Sequence, residues 1–522
     1  MLRSRRLSRC ICVLIFLATA AKRAETAAAA AAAAAAEALT SIPDIPPCGS
    51  PPTHACVLQQ AAALQDWGTA VRRQLHRHPE LMYEELQTSI LVQQVLTKLG
   101  IKHTTGWGRD RRTSLVDESL LEPSTERGDA EDLQKLQELQ QQQQQQQQQE
   151  AGVVGTGVVA EIGTGEAPCV LLRADMDALP IVEQADVGFK SEVLGKMHAC
   201  GHDVHTTMLL MAAAILKKNE SSLKGTVRLV FQPAEEGGEG ARMMLEEGLL
   251  QQKPAASLAL GLHVAPQLPT GALASRTGSL MAATASFHFE VVGVGGHGAM
   301  PFETHDPIAA CAAAVQNINT FVARENDYSA ESSGFVSVTQ IQAGSAFNVI
   351  PSKCTLKGTI RAFSNEKLRE LQLRLRQVVQ RTAEAFRCSL RVIRLLTNTP
   401  ALRVHPEALA VLQEAASGIV AGSQVLTMEP TYGGEDFAFV LDKLPGAFAF
   451  IGIGSGAEKA GHVPTTFGLH HPEFAADEAV LQVGAALEAK FAFEAIKHLL
   501  QQQKPPGQHM PSQEPQRQKE EL

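Results

Sequence analysis

Hydrophobic positions along the chain recur with two periods, and their order predicts the architecture. Leu86, Ile90, Leu91, Val95 and Leu99 fall on one helical face and Gly100 stops the run, which predicts a helix over 84–99. Met208–Leu216 is apolar throughout and reads as a buried helix. Val170–Leu172, Thr226–Phe231 and Leu258–Val264 are short apolar runs after turn signals, the mark of buried strands. Helices alternating with such strands predict an α/β fold, a mostly parallel sheet with helices on both faces. Near Ala282 the pattern changes. Ser286–Val292, Gly334–Gln342 and Cys354–Phe363 alternate like half-buried strands, while Ile308–Val322 and Glu366–Ala385 have helical spacing. This β-α-β-β-α order predicts a small α+β domain over 282–395, inserted into a catalytic domain formed by 55–281 and 396–500.

Other stretches carry no core-forming pattern. Ala27–Ala36 is an unbroken alanine run and Gln140–Gln149 a glutamine run. Residues 22–54 read as a low-complexity linker, 109–150 as a Gln-rich insertion between a helix and a strand, and 501–522 as a disordered tail. At the N-terminus, Arg3, Arg5, Arg6 and Arg9 precede the apolar run Cys10–Ala18 and a group of small residues. That is the layout of a cleaved secretory signal peptide over 1–21, which directs the chain to the secretory pathway, with an uncleaved anchor or the first half of a longer organelle address as alternatives. No other run of about 18 apolar residues exists outside alanine-rich sequence, so no stable membrane span is expected in the mature chain.

Composition narrows the class. At 522 residues, with 44% hydrophobic and 19% charged residues, the chain has room for two or three domains with a large core. A formal charge of −9 and no evident basic face argue against nucleic acid as a partner. Of nine cysteines, Cys10 and Cys12 lie in the expected signal, so at least one of the remaining seven has no intramolecular partner. Cys48 and Cys56 fit a bridge or two free thiols equally well.

Met197–His205 packs one thiol, three imidazoles and a carboxylate into nine residues, and Glu235-Glu236 follows at the end of an apolar run. Mixed soft and hard donors suit a divalent transition metal, manganese or zinc. Asp175 and Asp177 follow the first predicted strand, Glu235 and Glu236 the second, and His263 lies near the end of the third. Ligands in open α/β sheets collect at such strand ends. Cys200 and His202, with Glu236, His263 and His470, are five scattered donors that fit a two-metal site better than one structural zinc. A glutamate beside a ligand glutamate, Glu235, is what metal-assisted hydrolysis needs. Zinc deaminases also combine Cys and His, but their Pro-Cys-x-x-Cys element is absent. His198 and His205 fit a ligand or a supporting role, while His76 and His78 read as structural and His471 as a neighbour of the site.

Taken together, RRQLHRHPELMYEE (72–85), LLRADMDALPI (171–181), MHACGHDVH (197–205), FQPAEEGGEGARMMLEEG (231–248), GLHVAPQLPTG (261–271), GGHGAMP (295–301), FNVIPSKCTLKGTIRAF (347–363), GGEDFAF (433–439) and LHHPEF (469–474) resemble the dinuclear-metal amidohydrolase and exopeptidase family of aminoacylases and carboxypeptidases. The nearest likeness is to the branch of IAA-amino acid hydrolases, hippurate hydrolases and N-acyl-amino acid amidohydrolases. The resemblance runs from about Ala55 to Leu499 and implies an exopeptidase-like catalytic domain with a dimerising lid. It implies two divalent cations per subunit on Cys200, His202, Glu236, His263 and His470. Glu235 would be the catalytic base, His297 would reach a substrate in the partner subunit of a homodimer, and Asn348 and Arg361 would bind substrate polar groups. Asp175 and Asp177 would orient the catalytic groups. The expected reaction is hydrolysis of the amide of an N-acyl-amino acid, with a dipeptidase or carboxypeptidase, or a non-catalytic secreted binding protein, as alternatives. One departure is Pro301-Phe302, where the family commonly has Pro-His; it bears on specificity rather than on the ligands.

Overall fold

The computed structural model describes residues 39, 41–110, 155–327, 333–454, 465 and 467–502. The expected signal, the alanine and glutamine runs and the tail beyond Gln502 lie outside the described residues.

The larger sheet has eight strands. In chain order they begin with β1 (Lys102–Gly106), β2 (Gly155–Gly163), β3 (Cys169–Asp175), β4 (Thr226–Gln232), β5 (Ala256–Pro269) and β6 (Leu273–Ser275). A second sheet then intervenes, made of β7 (Ala283–Val292), β8 (Gly334–Ala343), β9 (Lys353–Ala362) and β10 (Ser389–Thr399). The chain returns to the first sheet with β11 (Val425–Thr427) and β12 (Gly446–Gly454). Spatially the large sheet runs β1-β2-β4-β3-β5-β12-β6-β11, and its central strands β4, β3, β5 and β12 are mutually parallel. These four are buried along most of their length, which is why they read as continuous apolar runs. The 109–150 insertion does not link a helix to a strand as expected. It joins β1 to β2, antiparallel neighbours that begin pairing at Gly106 and Gly155.

Local sequence explains the helices around this sheet: α1 (His54–Ala63), α2 (Gln65–Arg77), α3 (Leu86–Lys98), α4 (His202–Lys218) and, at the end, α7 (Val480–Gln502). On α2, Trp67, Val71 and Leu75 recur every four residues and are buried. Helix α3 stops where its pattern predicts: Gly100 takes φ +67°, its N–H reaches the Thr97 carbonyl, and Ile101 N–H reaches Leu96. Helix α4 is buried on all sides from His202 to Leu216, because α7 and α2 cover what β3 does not. The end of the expected linker is docked rather than loose. Leu39 and Ile45 are buried, Trp67 Nε1 donates to the Leu39 carbonyl at 2.6 Å, and Cys48 is disulfide-bonded to Cys56.

The second sheet is antiparallel throughout, in the order β8-β9-β7-β10, with α5 (Pro307–Glu325) and α6 (Asn365–Ala385) packed on one face. Asp306 and Ser364 cap the two helices through their side chains. The interior is a separate cluster of buried residues, among them Phe287, Phe289, Leu356, Ile360, Leu371 and Leu375. A sixth element, β10, completes a β-α-β-β-α-β order and runs to Thr399, four residues past the expected boundary at 395. Its pairing slips between Val392 and Arg394, and that bulge breaks the two-residue alternation that marks a strand in sequence.

Candidate metal centre and active site

Asp175 ends β3, and His263 on β5 lies level with it, two residues beyond the Arg173–Gly261 pair. Glu235 and Glu236 follow β4 on a tight turn whose entry, Ala234, sits at φ +56°. Cys200 precedes α4 and His202 is its first residue. Gly201 between them takes φ +85°, and a Cβ there would lie 2.4 Å from Val264 Cγ2, so this position requires glycine. His470 arrives from the far end of the chain at φ +63°, its N–H bonded to the Ala199 carbonyl at 2.8 Å.

The five expected ligands come together. Donor atoms of Cys200, His202 and His263 lie within 4.8 Å of one another, and so do those of Cys200, Glu236 and His470. Cys200 belongs to both groups. Its Sγ is 3.4 Å from His263 Nε2, and Glu236 Oε1 is 3.2 Å from His470 Nε2.

Hydrogen bonding shows which nitrogens are committed. His263 Nδ1 is 2.9 Å from the Val264 carbonyl oxygen, so that nitrogen carries the proton and leaves the Nε2 lone pair free. Both ring nitrogens of His202 and Glu236 Oε1 are buried without a well-formed hydrogen bond among the described residues; their polar neighbours are Asp177 at 3.4 Å and Asp175 at 3.6 Å from His202, and His470 at 3.2 Å from Glu236. Buried polar atoms of this kind are costly unless a ligand satisfies them, and this donor set fits divalent cations. His205 is different. Its Nε2 accepts the Val264 N–H at 2.9 Å and its Nδ1 donates to Asp175 at 2.6 Å. Both nitrogens are used, which makes it a support and not a ligand. His76 is structural, bonded to Asp203 at 2.8 Å and Glu183 at 3.1 Å. His471 stacks on Phe467 beside the site.

Carboxylates set the electrostatics. Burial opposes a charge on His202, yet Asp175 and Asp177 outweigh it and raise its pKa to about 10. Burial, then the negative charges of Glu435, Glu236 and Asp436, hold the Glu235 carboxyl well above the usual range. Asp177 accepts the Glu235 N–H at 3.0 Å and the Glu236 N–H at 2.9 Å, so it fixes the turn that presents both glutamates.

Sequence reading assigned no role to Glu85, Arg173, Glu435 or Asp436. Glu85 accepts the Ala234 N–H at 2.9 Å from beneath the turn. Buried Arg173 joins Asp175, Glu435 and Asp436 at 2.8–3.0 Å, and the Asp436 N–H points to Glu235 Oε1 at 3.4 Å. The signal available was the adjacent acids Glu435-Asp436 in the 433–439 motif.

Three expected residues stand apart. His297 and Asn348 are exposed on the inserted unit, where the Gly298 N–H donates to the Asn348 carbonyl. No hydrogen bond or ion pair among the described residues joins either to the five ligands. Arg361 on β9 is half-buried with no carboxylate partner among the described residues, and burial lowers its pKa. A Cβ built on Gly434 would lie 3.5 Å from its Nη1, so Arg361 borders the loop that carries Glu435 and Asp436.

Comparison with known proteins shows the family of the chain. Among curated relatives, IAA-amino acid hydrolase ILR1-like 4 of Arabidopsis thaliana is 38% identical over 82% of this chain and 85% of its own. N-acetylcysteine deacetylase of Bacillus subtilis is 33% identical over 81% of this chain and 95% of its own. Thermostable carboxypeptidase 2 of Saccharolobus solfataricus is 34% identical over 82% and 95%. Among solved structures, a putative aminohydrolase from methicillin-resistant Staphylococcus aureus superposes with a TM-score of 0.70 at 25% identity, over 85% of this chain and all of that one. The Bacillus subtilis YXEP protein, described as a dinuclear metal-binding peptidase, gives 0.63 at 30% identity over 84% and 99%. The profile of peptidase family M20/M25/M40 matches residues 171–494, and the chain belongs to that family.

Proposed function

We infer that this metallo-amidohydrolase cleaves the amide bond of N-acyl-amino acids, with two divalent cations on Cys200, His202, Glu236, His263 and His470. Supporting this are the two donor groups that share Cys200 and the buried donor atoms of His202 and Glu236, which make no well-formed hydrogen bond among the described residues. Bound cations of this kind supply positive charge that polarises the amide carbonyl and acidifies water.

The chain's own residues supply the rest. Glu235 accepts a proton from the attacking water and passes it to the departing nitrogen; its raised proton affinity suits a group that must hold and release one proton per turnover. Glu236 serves the cation, and Asp177 keeps the two glutamates at a fixed offset through their backbone amides. Arg361, with no internal counter-charge, takes the carboxylate of the amino-acid half. His297 and Asn348 complete the site from the partner subunit of a homodimer, since within one chain they stand away from the ligands. Manganese or zinc is the fitting metal. The Cys48–Cys56 bridge favours an oxidising compartment and hence the secretory pathway.

The reading that a relative such as the carboxypeptidase suggests, cleavage of peptides, is separated by a substrate panel. Metal-loaded protein is expected to hydrolyse N-acetyl-, N-benzoyl- or indole-3-acetyl-amino acids faster than dipeptides. Glu235→Gln is expected to keep its metal and lose about 10²–10⁴-fold in kcat, whereas Cys200→Ala is expected to lose metal by elemental analysis. Full turnover in Glu235→Gln, or unchanged metal content in Cys200→Ala, rules out the corresponding role.

A further inference from the structure

The face of the second sheet turned away from α5 and α6 has an unusual charge. On β7 the buried residues are Ala285, Phe287, Phe289 and Val291, so Ser286, His288, Glu290 and Val292 point to the open side. Residues directly opposite in antiparallel strands share a face. Lys357 is opposite His288, and His288 is opposite Arg394 on its other side; Arg361 lies on the same face of β9, opposite Thr284. Three basic side chains therefore stand in one row across β9, β7 and β10. Glu290 is the only carboxylate on these three strands, and it pairs with Lys353 at 2.8 Å and Arg391 at 3.6 Å. Lys357, Arg361 and Arg394 have no carboxylate partner among the described residues, and Arg394 Nε donates to Ser286 Oγ. The whole chain carries a formal charge of −9, so a net-positive face runs against its composition.

Burial and the Lys357 charge lower the His288 pKa, so Lys357 and Arg394 are the charges of this row, two cations flanking an imidazole that gives neither an ion pair. Fold stability therefore gives no reason for the Lys357–His288–Arg394 row. Its place does. Gly434 abuts the Arg361 end of this face: a Cβ there would meet Thr284 Cγ2 at 2.7 Å and Arg361 Nη1 at 3.5 Å. Asp436, two residues on and so within about 7 Å of chain, has its N–H 3.4 Å from Glu235 Oε1. The basic face thus begins beside the catalytic carboxylate and extends outward. Lys357 is four residues from Arg361, about 13 Å along the strand.

We propose that this open sheet face is an electrostatic approach for carboxylate-bearing substrates, with Lys357 and Arg394 drawing the anion inward toward Arg361. The inference rests on the N-acyl-amino acid reading, in which every substrate carries a carboxylate. Cations that do not touch the reacting atoms raise the local concentration and encounter rate of an anion and leave the chemical step alone. Lys357, about 13 Å from Arg361, lies beyond the Debye length of about 8 Å at physiological salt, so its field is screened there and the effect belongs to low ionic strength.

The experiment compares metal-loaded wild type with Lys357→Gln, Arg394→Gln and the double variant. An N-acyl-amino acid and its uncharged carboxamide are the substrates, from about 10 mM to 0.5 M salt, and thermal melts confirm folding. For the carboxylate substrate the double variant is expected to lose about three- to tenfold in kcat/KM at low salt through a higher KM, with kcat unchanged. The loss is expected to fade as salt rises and to be absent with the carboxamide. Equal kcat/KM at low salt, or an equal loss with the carboxamide, overturns the proposal and leaves the amidohydrolase reading intact. Failure of wild type to hydrolyse any N-acyl-amino acid overturns both.

Discussion

Glu85 shows how much of the site depends on a side chain outside the expected ligands and base. It is fully buried, accepts the Ala234 N–H at 2.9 Å and the Thr156 hydroxyl at 2.7 Å, and burial with the nearby Asp177 charge raises its pKa to about 7. Ala234 is held in the left-handed region, which costs a residue with a Cβ roughly 1–2 kcal/mol. The clamp from Glu85 offsets that cost at the residue preceding Glu235. Glu85→Ala is expected to relax the turn and lower both metal affinity and kcat about 10- to 100-fold, with KM changed far less. Glu85→Gln, whose amide oxygen still accepts from Ala234, is expected to recover most of both. Metal titration alongside steady-state kinetics checks this, and wild-type values in Glu85→Ala would show that the turn stands without the clamp.

Among elements, the segment 431–436 ties the two sheets together. At one end Tyr432 stacks on Phe363 and meets Phe335 of the second sheet, and at the other Arg173 holds Glu435 and Asp436 against the first. Gly434 lies between, too close to Thr284 and Thr399 for any side chain. Gly434→Ala is expected to push this segment off the sheet and shift Asp436 relative to Glu235. A displacement near 1 Å costs roughly tenfold or more in kcat/KM, while the melting temperature, set mainly by the two cores, moves little. Wild-type kinetics in that variant would mean that the segment adjusts freely. The elements legible in the sequence are those whose burial is uniform or strictly alternating, such as β3, β4 and β7. Among the strands that left no such trace, β1 is a polar edge strand, β10 carries a bulge, and β12 is built largely of Gly, Ala and Phe. The five expected ligand residues, which the fold brings together, were legible because each lies in a short motif at a strand or helix end. The Arg173 cluster was not, since its partners are 262 and 263 residues away and meet only in the fold.

For the whole molecule, the large core is sealed by α7 lying against α4 and α1, and that seal contains a carboxyl with nothing to offset its charge. Glu488 is buried, its Oε2 has no hydrogen-bond partner among the described residues, and burial alone holds its pKa well above the usual carboxylate value. The sign of the pH effect follows. The folded chain keeps a proton that the unfolded chain releases above about pH 4.3, so the stability tied to this group is full below that pH and declines as pH rises toward the folded pKa. Replacing the carboxyl by an amide of the same shape removes the linked proton without opening a cavity. Glu488→Gln is therefore expected to melt close to wild type near pH 4 and several degrees higher at pH 8, in a difference that widens steadily between. Because the two chains share every other titrating group, subtracting their melting curves isolates this one. Parallel melting temperatures from pH 5 to 8 would mean that Glu488 finds a partner or water in solution, and that the seal between α7 and α4 is looser than its burial suggests.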